Sequence, residues 1–190
     1  LLSFGLAFTT ADAKMHETDG KKAPDFTLKS FEGYHYTLSD YNDSVVVLEW
    51  FNYECPFVKY HYQDANTMTE LENKYDDENL IWFTINSTSH TTKETNLEYA
   101  EQHNITAPIL DDRDGKVGHK YGAKTTPHMF IIKKGHIVYE GAIDNAPLGR
   151  LEDDQQYVNY VDKALKEIFA GRKPEKQYTK PYGCSVKYAD

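Results

Sequence analysis

Two runs, "SVVVLEWF" (Ser44–Phe51) and "LIWFTIN" (Leu80–Asn86), constrain the fold of this chain more than any other feature. Each is short for a helix and apolar or β-branched at nearly every position, as expected of strands covered on both faces. A sheet covered on both faces needs helices above and below it. The sequence between the runs supplies one: Pro56 suits a first helical position, and Val58, Tyr62, Ala65, Met68 and Leu71 follow mostly at three- and four-residue steps. Strand, helix and strand in that order imply parallel pairing through a right-handed crossover.

The flanking segments extend this unit. "APDFTLKSFEGYHYTLSDY" alternates apolar and polar residues on both sides of Glu32-Gly33, which predicts a hairpin ahead of the first buried strand. "TKETNLEYAEQHN" predicts a helix capped near Thr92, "APILDD" a short strand, and "GKVGHKYGA" a short helix ended by Gly122. "HMFIIKKGHIVYEGAI" predicts a hairpin turning at Lys134-Gly135, and Leu151–Gly171 a closing amphipathic helix. At 190 residues the chain is expected to form one domain over residues 23–171, preceded by a polar linker (14–22) and followed by a polar tail (172–190).

A net charge of −9 argues against a nucleic-acid backbone or an anionic membrane surface as partner, since both carry the same sign. Residues 1–13, "LLSFGLAFTTADA", are apolar and then small, which resembles the end of a secretory signal and predicts export to the periplasm or the exterior. No other apolar run approaches the roughly 20 residues that span a bilayer, so no membrane insertion of the mature form is expected.

The chain has two cysteines, Cys55 and Cys184. Cys55 directly precedes Pro56 at the junction of the first buried strand and its helix. Unpaired N–H groups of a first helical turn favour a thiolate there, and the thiolate is the nucleophilic form. Pro56 is tolerated because its missing N–H would have no partner inside the helix. Glu49 lies in the same strand, where burial in ionised form is costly and its pKa is expected to rise.

These segments together resemble the redoxin family, also called the alkyl hydroperoxide reductase and thiol-specific antioxidant family. The resemblance rests on "APDFTLKSFEGYHYTLSDY" with "VVVLEW", on Glu49 six positions before Cys55, on "YGAKTTPHMFII" and on "GHIVYEGAID". It implies a thioredoxin-like α/β fold, a central mixed sheet flanked by helices with an N-terminal hairpin extension. It also implies a cis Thr126-Pro127 peptide facing the cysteine, where a substrate backbone adds as a strand. Two departures from the family matter. Val58 stands where a second cysteine usually lies, and Leu48 and Asn52 stand where peroxidases carry a proline and a hydroxyl residue. "PYGCSVKY" resembles the tail of the redoxin subset that pairs a Cys-Pro-Phe-Val site with a C-terminal Gly-Cys-Ser.

The reading that follows is a thiol-disulfide oxidoreductase acting on protein or small-molecule thiols and disulfides, without cofactor or metal. Cys55 is its nucleophile, Cys184 a candidate resolving thiol, Glu49 a candidate proton acceptor, and Pro56, Thr126 and Pro127 candidate substrate contacts. A structural Cys55–Cys184 bridge competes with a catalytic one. Three other readings stay open: thiol peroxidase activity, a non-enzymatic binding module whose 15 tyrosines line contact surfaces, and, least favoured, a metal held by Cys55, His61 and His128.

Overall fold

The two apolar runs lie side by side at the centre of one sheet. The computed structural model describes residues 20–152 and 154–189. Its strands are β1 (Lys21–Lys22), β2 (Thr27–Ser30), β3 (His35–Thr37), β4 (Val45–Trp50), β5 (Leu80–Asn86), β6 (Ile109–Asp111), β7 (Thr125–Thr126), β8 (His128–Lys133), β9 (His136–Gly141) and β10 (Cys184–Ser185). The helices are α1 (Pro56–Lys59), α2 (Thr67–Lys74), α3 (Lys93–Gln102), α4 (Lys116–Tyr121) and α5 (Tyr160–Phe169). β4 and β5 pair in parallel, with Glu49 opposite Thr84, and β8 pairs antiparallel with the other edge of β4, with Met129 opposite Glu49. The sheet runs β1-β9-β8-β4-β5-β6-β2-β3, with β7 and β10 forming a separate pair. This is the thioredoxin-like fold.

Alternation along β4 divides the core. Val45, Val47 and Phe51 face a cluster that contains Val58, Tyr62, Met68, Leu71, Tyr99 and Leu165. Val46, Leu48 and Trp50 face another that contains Phe26, Phe83, Val117, Tyr121 and Phe130. Trp50 and Phe130 meet edge-on with ring centroids 5.1 Å apart, the geometry that aromatic quadrupoles favour. Glu49 points the same way as Val47, into the first cluster, and that puts it beneath the cysteine end of the crossover.

Three segments depart from the pattern expected of them. The helix beginning at Pro56 does not run through to Leu71. α1 gives way to a π-turn over Tyr60–Asp64, closed by the Ala65 N–H on the Tyr60 carbonyl at 2.9 Å, and Asn66 then sits at φ 50 before α2. Regular spacing cannot register the wider π-turn, and Asn is among the few side chains that tolerate the left-handed region. The break lets two adjacent residues, His61 and Tyr62, both enter the interior.

The closing helix is only Tyr160–Phe169, because "LEDDQQ" ahead of it offers no apolar face. Gln156 and Val158 instead hold the loop at Asn145, whose side-chain N–H donates to the Gln156 carbonyl at 2.8 Å and whose side-chain oxygen accepts the Val158 N–H at 2.8 Å. The Asn159 side chain then caps α5 by accepting the Asp162 N–H at 2.9 Å. Asn159→Ala should therefore cost about 1 kcal/mol of stability, read as a lower urea midpoint with unchanged slope.

The polar ends are not loose appendages. Lys21–Lys22, expected to belong to a linker, pairs with His136–Ile137 as an edge strand. The tail returns to the body at Gln177–Thr179, where Glu140 donates its N–H to the Gln177 carbonyl (2.9 Å) and Thr179 donates to Glu140 (3.0 Å). The expected signal segment, residues 1–13, lies outside the described residues. No helix among the described residues is long and apolar enough to cross a membrane.

Candidate active site

Cys55 caps α1, with φ −71° and ψ 122°, and Pro56 occupies the first helical position. Its carbonyl accepts the Lys59 N–H at 2.9 Å, the first bond of the turn. The side chain is 2% exposed and donates its S–H to the Thr126 carbonyl at 2.9 Å. The Thr126-Pro127 peptide is cis. Lys59, one turn beyond the cysteine, is exposed.

The tail brings the second cysteine to the same place. β10 pairs antiparallel with β7, Cys184 opposite Thr126 and Ser185 opposite Thr125. Both cysteines are free thiols, Cys55 buried and Cys184 half-buried. Burial first, then the contact with Cys55, pushes the Cys184 thiol up to about 11. At neutral pH Cys184 therefore keeps its proton.

Glu49 is wholly buried. The Tyr62 hydroxyl donates to its Oε2 at 2.7 Å and the Trp82 indole N–H at 3.3 Å, while Oε1 has no partner. Burial raises its carboxyl to about 8; the two donors oppose that shift and the nearby Glu72 charge adds to it. Glu49 is thus mostly protonated at neutral pH. Burial also raises Tyr99 to about 12, and the charges of Glu49 and Cys55 both contribute, so the two groups act on one shared neighbourhood.

The structure gives His61, read from the sequence as a candidate metal ligand, a different setting, and joins it to residues that the sequence left unassigned. His61 is fully buried, with Nδ1 3.1 Å from the Thr67 hydroxyl and Nε2 2.9 Å from the Tyr182 hydroxyl. Tyr182 in turn donates to Asp144 at 2.6 Å, so its oxygen accepts from His61 Nε2–H. The Tyr182 ring packs on Phe57, centroids 5.7 Å apart. The chain Thr67–His61–Tyr182–Asp144 clamps the tail two residues before Cys184. The only signal for it was "KYHY" and "PYGC", polar aromatics near each cysteine.

The metal grouping is not assembled. His128 lies against Phe130, on the sheet face away from Val47, and burial followed by the Lys124 charge lowers it to about 4. Among the described residues no group of three or more His, Cys, Asp or Glu could hold a metal ion.

Residues 20–140 match the AhpC/TSA family. This chain belongs to that family. Proteins with similar sequences include the thioredoxin-like protein YneN of Bacillus subtilis (strain 168), 28% identical over 123 residues, which are 64% of this chain and 69% of YneN. The thiol-disulfide oxidoreductase ResA of Geobacillus thermodenitrificans (strain NG80-2) is 31% identical over 116 residues, 60% of this chain and 63% of ResA. The chain thus spans less than two thirds of ResA's length. A crystal structure of an uncharacterized conserved protein from Geobacillus kaustophilus superposes with TM-score 0.79 at 26% identity, covering 90% of this chain and 92% of that one. The match to residues 20–140 takes in Cys55 and Thr126 and stops short of the tail, so the family likeness leaves Cys184 unassigned.

Proposed function

We propose that this AhpC/TSA-family chain is a thiol-disulfide oxidoreductase with Cys55 as nucleophile and Cys184 as resolving thiol. One observation carries the reading: Cys184 is registered against Thr126, the residue whose carbonyl accepts the Cys55 thiol. With valine at 58, we assign the second thiol's part to a cysteine 129 positions beyond Cys55 in the chain.

The roles follow from position. Cys55 caps α1 beside the cis Thr126-Pro127 peptide and is the attacking sulfur we assign. Cys184, which keeps its proton at neutral pH, is assigned the later step. Attack by Cys55 on a disulfide forms a mixed disulfide and expels one thiolate. Cys184 then attacks the Cys55 sulfur, the substrate's second sulfur leaves as thiolate, and two electrons have passed from the protein dithiol to the substrate. Cys184 must shed a proton for this step, and the ionised form of Glu49, the minor form at neutral pH and the major one above about 8, is the buried acceptor we assign. Pro56 starts the helix that positions Cys55, and Thr126 and Pro127 form the edge along which substrate backbone adds.

Titration of the prereduced chain with glutathione disulfide tests the reading. Both thiols should vanish together, the mass should fall by two hydrogens, and peptide mapping should find Cys55 joined to Cys184. Cys55→Ser should abolish the oxidation altogether. Stable glutathione adducts on both cysteines of the wild type, with no internal bond, would overturn the assignment.

A further inference from the structure

The strand that occupies the β7 edge is the chain's own, and its details specify what else could take its place. Three features of the seat are specific. Cys184 faces Thr126 in antiparallel register, and the Val186 N–H donates to the Lys124 carbonyl at 3.1 Å. Gly183, just before the cysteine, has φ +136 and passes so close to Thr126 that a Cβ there would overlap the Thr126 carbonyl oxygen. The obstacle is backbone, which is itself engaged by the Cys55 thiol, so it cannot swing aside as a flexible side chain would. Upstream, the tail skirts an open groove of about 720 Å³ whose lining is mixed, with Phe57, Leu148 and Leu151 beside Arg150, Glu152 and Lys180. Leu148 and Leu151 are two of the five large apolar side chains that stand exposed among the described residues, at 36% and 40%.

The seat is also lightly built. β7 and β10 are two residues each, so the ladder holds few backbone bonds, each of modest net worth once water competes for the same groups. The stronger fastenings flank it: the Tyr182 hydroxyl between Asp144 and His61 on one side, and the Tyr188 hydroxyl on the Ala123 carbonyl on the other. The stretch between them can lift while both ends stay attached.

We propose that the β7 edge, to which substrate backbone is assigned above, selects partner polypeptide segments with glycine immediately before the cysteine, and that the chain's own tail competes with them for it. The tail is the resident copy of that ligand. This rests on the thiol-disulfide reading above. The Cys55 thiolate attacks the partner's cysteine sulfur in a disulfide, the sulfur bonded to it leaves as thiolate and takes a proton from solvent, and the partner is held by a Cys55 mixed disulfide. When the tail reclaims β7, Cys184 gives its proton to Glu49 or water and attacks the Cys55 sulfur, and the partner's cysteine leaves as thiolate. Strand exchange and disulfide exchange are then one event, and oxidation of the tail ejects the partner.

The test uses two peptides, Tyr-Gly-Cys-Ser-Val and Tyr-Ala-Cys-Ser-Val, each as its mixed disulfide with thionitrobenzoate, against the prereduced full chain. Release of thionitrobenzoate gives the rate, and mass spectrometry of the Cys184→Ser variant, which cannot resolve the mixed disulfide, locates the adduct. The glycine peptide should react at least about tenfold faster than the alanine peptide, because the alanine methyl meets backbone that cannot yield. Gly183→Ala, which unseats the tail by the same overlap, should speed the glycine peptide about tenfold over wild type, since it removes the competing strand. Equal rates for the two peptides, with 5,5′-dithiobis(2-nitrobenzoate) still modifying Cys55, would overturn the docking proposal alone. Failure of that small reagent to modify Cys55 would overturn the nucleophile reading and the proposal with it. If Gly183→Ala does not fold, the comparison of peptides on the wild type decides the matter unaided.

Discussion

Cys184→Ser should stop the proposed cycle halfway and trap the substrate on Cys55. Exposed to a peptide disulfide, the wild type should finish with an internal disulfide and no adduct, whereas the variant should accumulate one peptide per chain. Serine keeps the backbone of β10, whose pairing with Thr125–Thr126 does not use the sulfur, so the site stays assembled. The size of the effect follows from proximity. A thiol held in contact with its target acts at effective molarities that reach about 10⁵ M in well-oriented cases, while an external thiol at millimolar concentration must find the same sulfur by collision. Even a small share of that advantage implies a loss of turnover of more than about a hundredfold. Intact-mass measurement during a single turnover would show it. A variant that turns over at the wild-type rate would reduce Cys184 to a structural neighbour of Cys55.

How far this was legible beforehand depended on what kind of interaction carried each element. β5 was readable to the residue, because continuous apolar runs leave one way to bury both faces of a strand. Gly122 as the stop of α4 and Lys134-Gly135 as a turn were equally plain, since left-handed backbone selects few residue types. The tail was not legible as part of the body. It is held by backbone bonds and by Thr179, Tyr182 and Tyr188, polar groups whose spacing has no helical or strand period. For the same reason Cys184 could be named as a partner for Cys55, but its arrival there is a tertiary fact. The buried His61–Tyr182–Asp144 chain joins residues 61, 144 and 182, and no local pattern links such distant positions. The π-turn at Tyr60–Asp64 was hidden differently: it changes the phase of a helix without changing its composition.

Glu49→Gln should change the pH dependence of stability more than any other substitution in the core. The wild-type carboxyl titrates near 8 when folded, against an ordinary value of 4.5. Below pH 4.5 it is protonated in both states and costs nothing. Between about 4.5 and 8 the unfolded chain ionises while the folded one must hold its proton, so stability falls by about 1.36 kcal/mol per pH unit, and beyond 8 the loss levels off. The whole window amounts to roughly 5 kcal/mol, an upper figure because it assumes that the buried site does not relax. Glutamine still accepts from Tyr62 and Trp82 and cannot ionise, so urea melts of the variant should lack this slope. At pH 9 it should be the more stable protein by several kcal/mol, with near parity at pH 5. Parallel curves for the two proteins from pH 5 to 9 would mean that Glu49 is ionised in the fold. In the wild type the penalty grows as pH approaches the range where Cys184 must give up a proton. A residue chosen for stability alone would be glutamine, leucine or methionine at this position. The ionised form of Glu49, which predominates only above about 8, is the form able to accept the proton that our proposed resolving step releases.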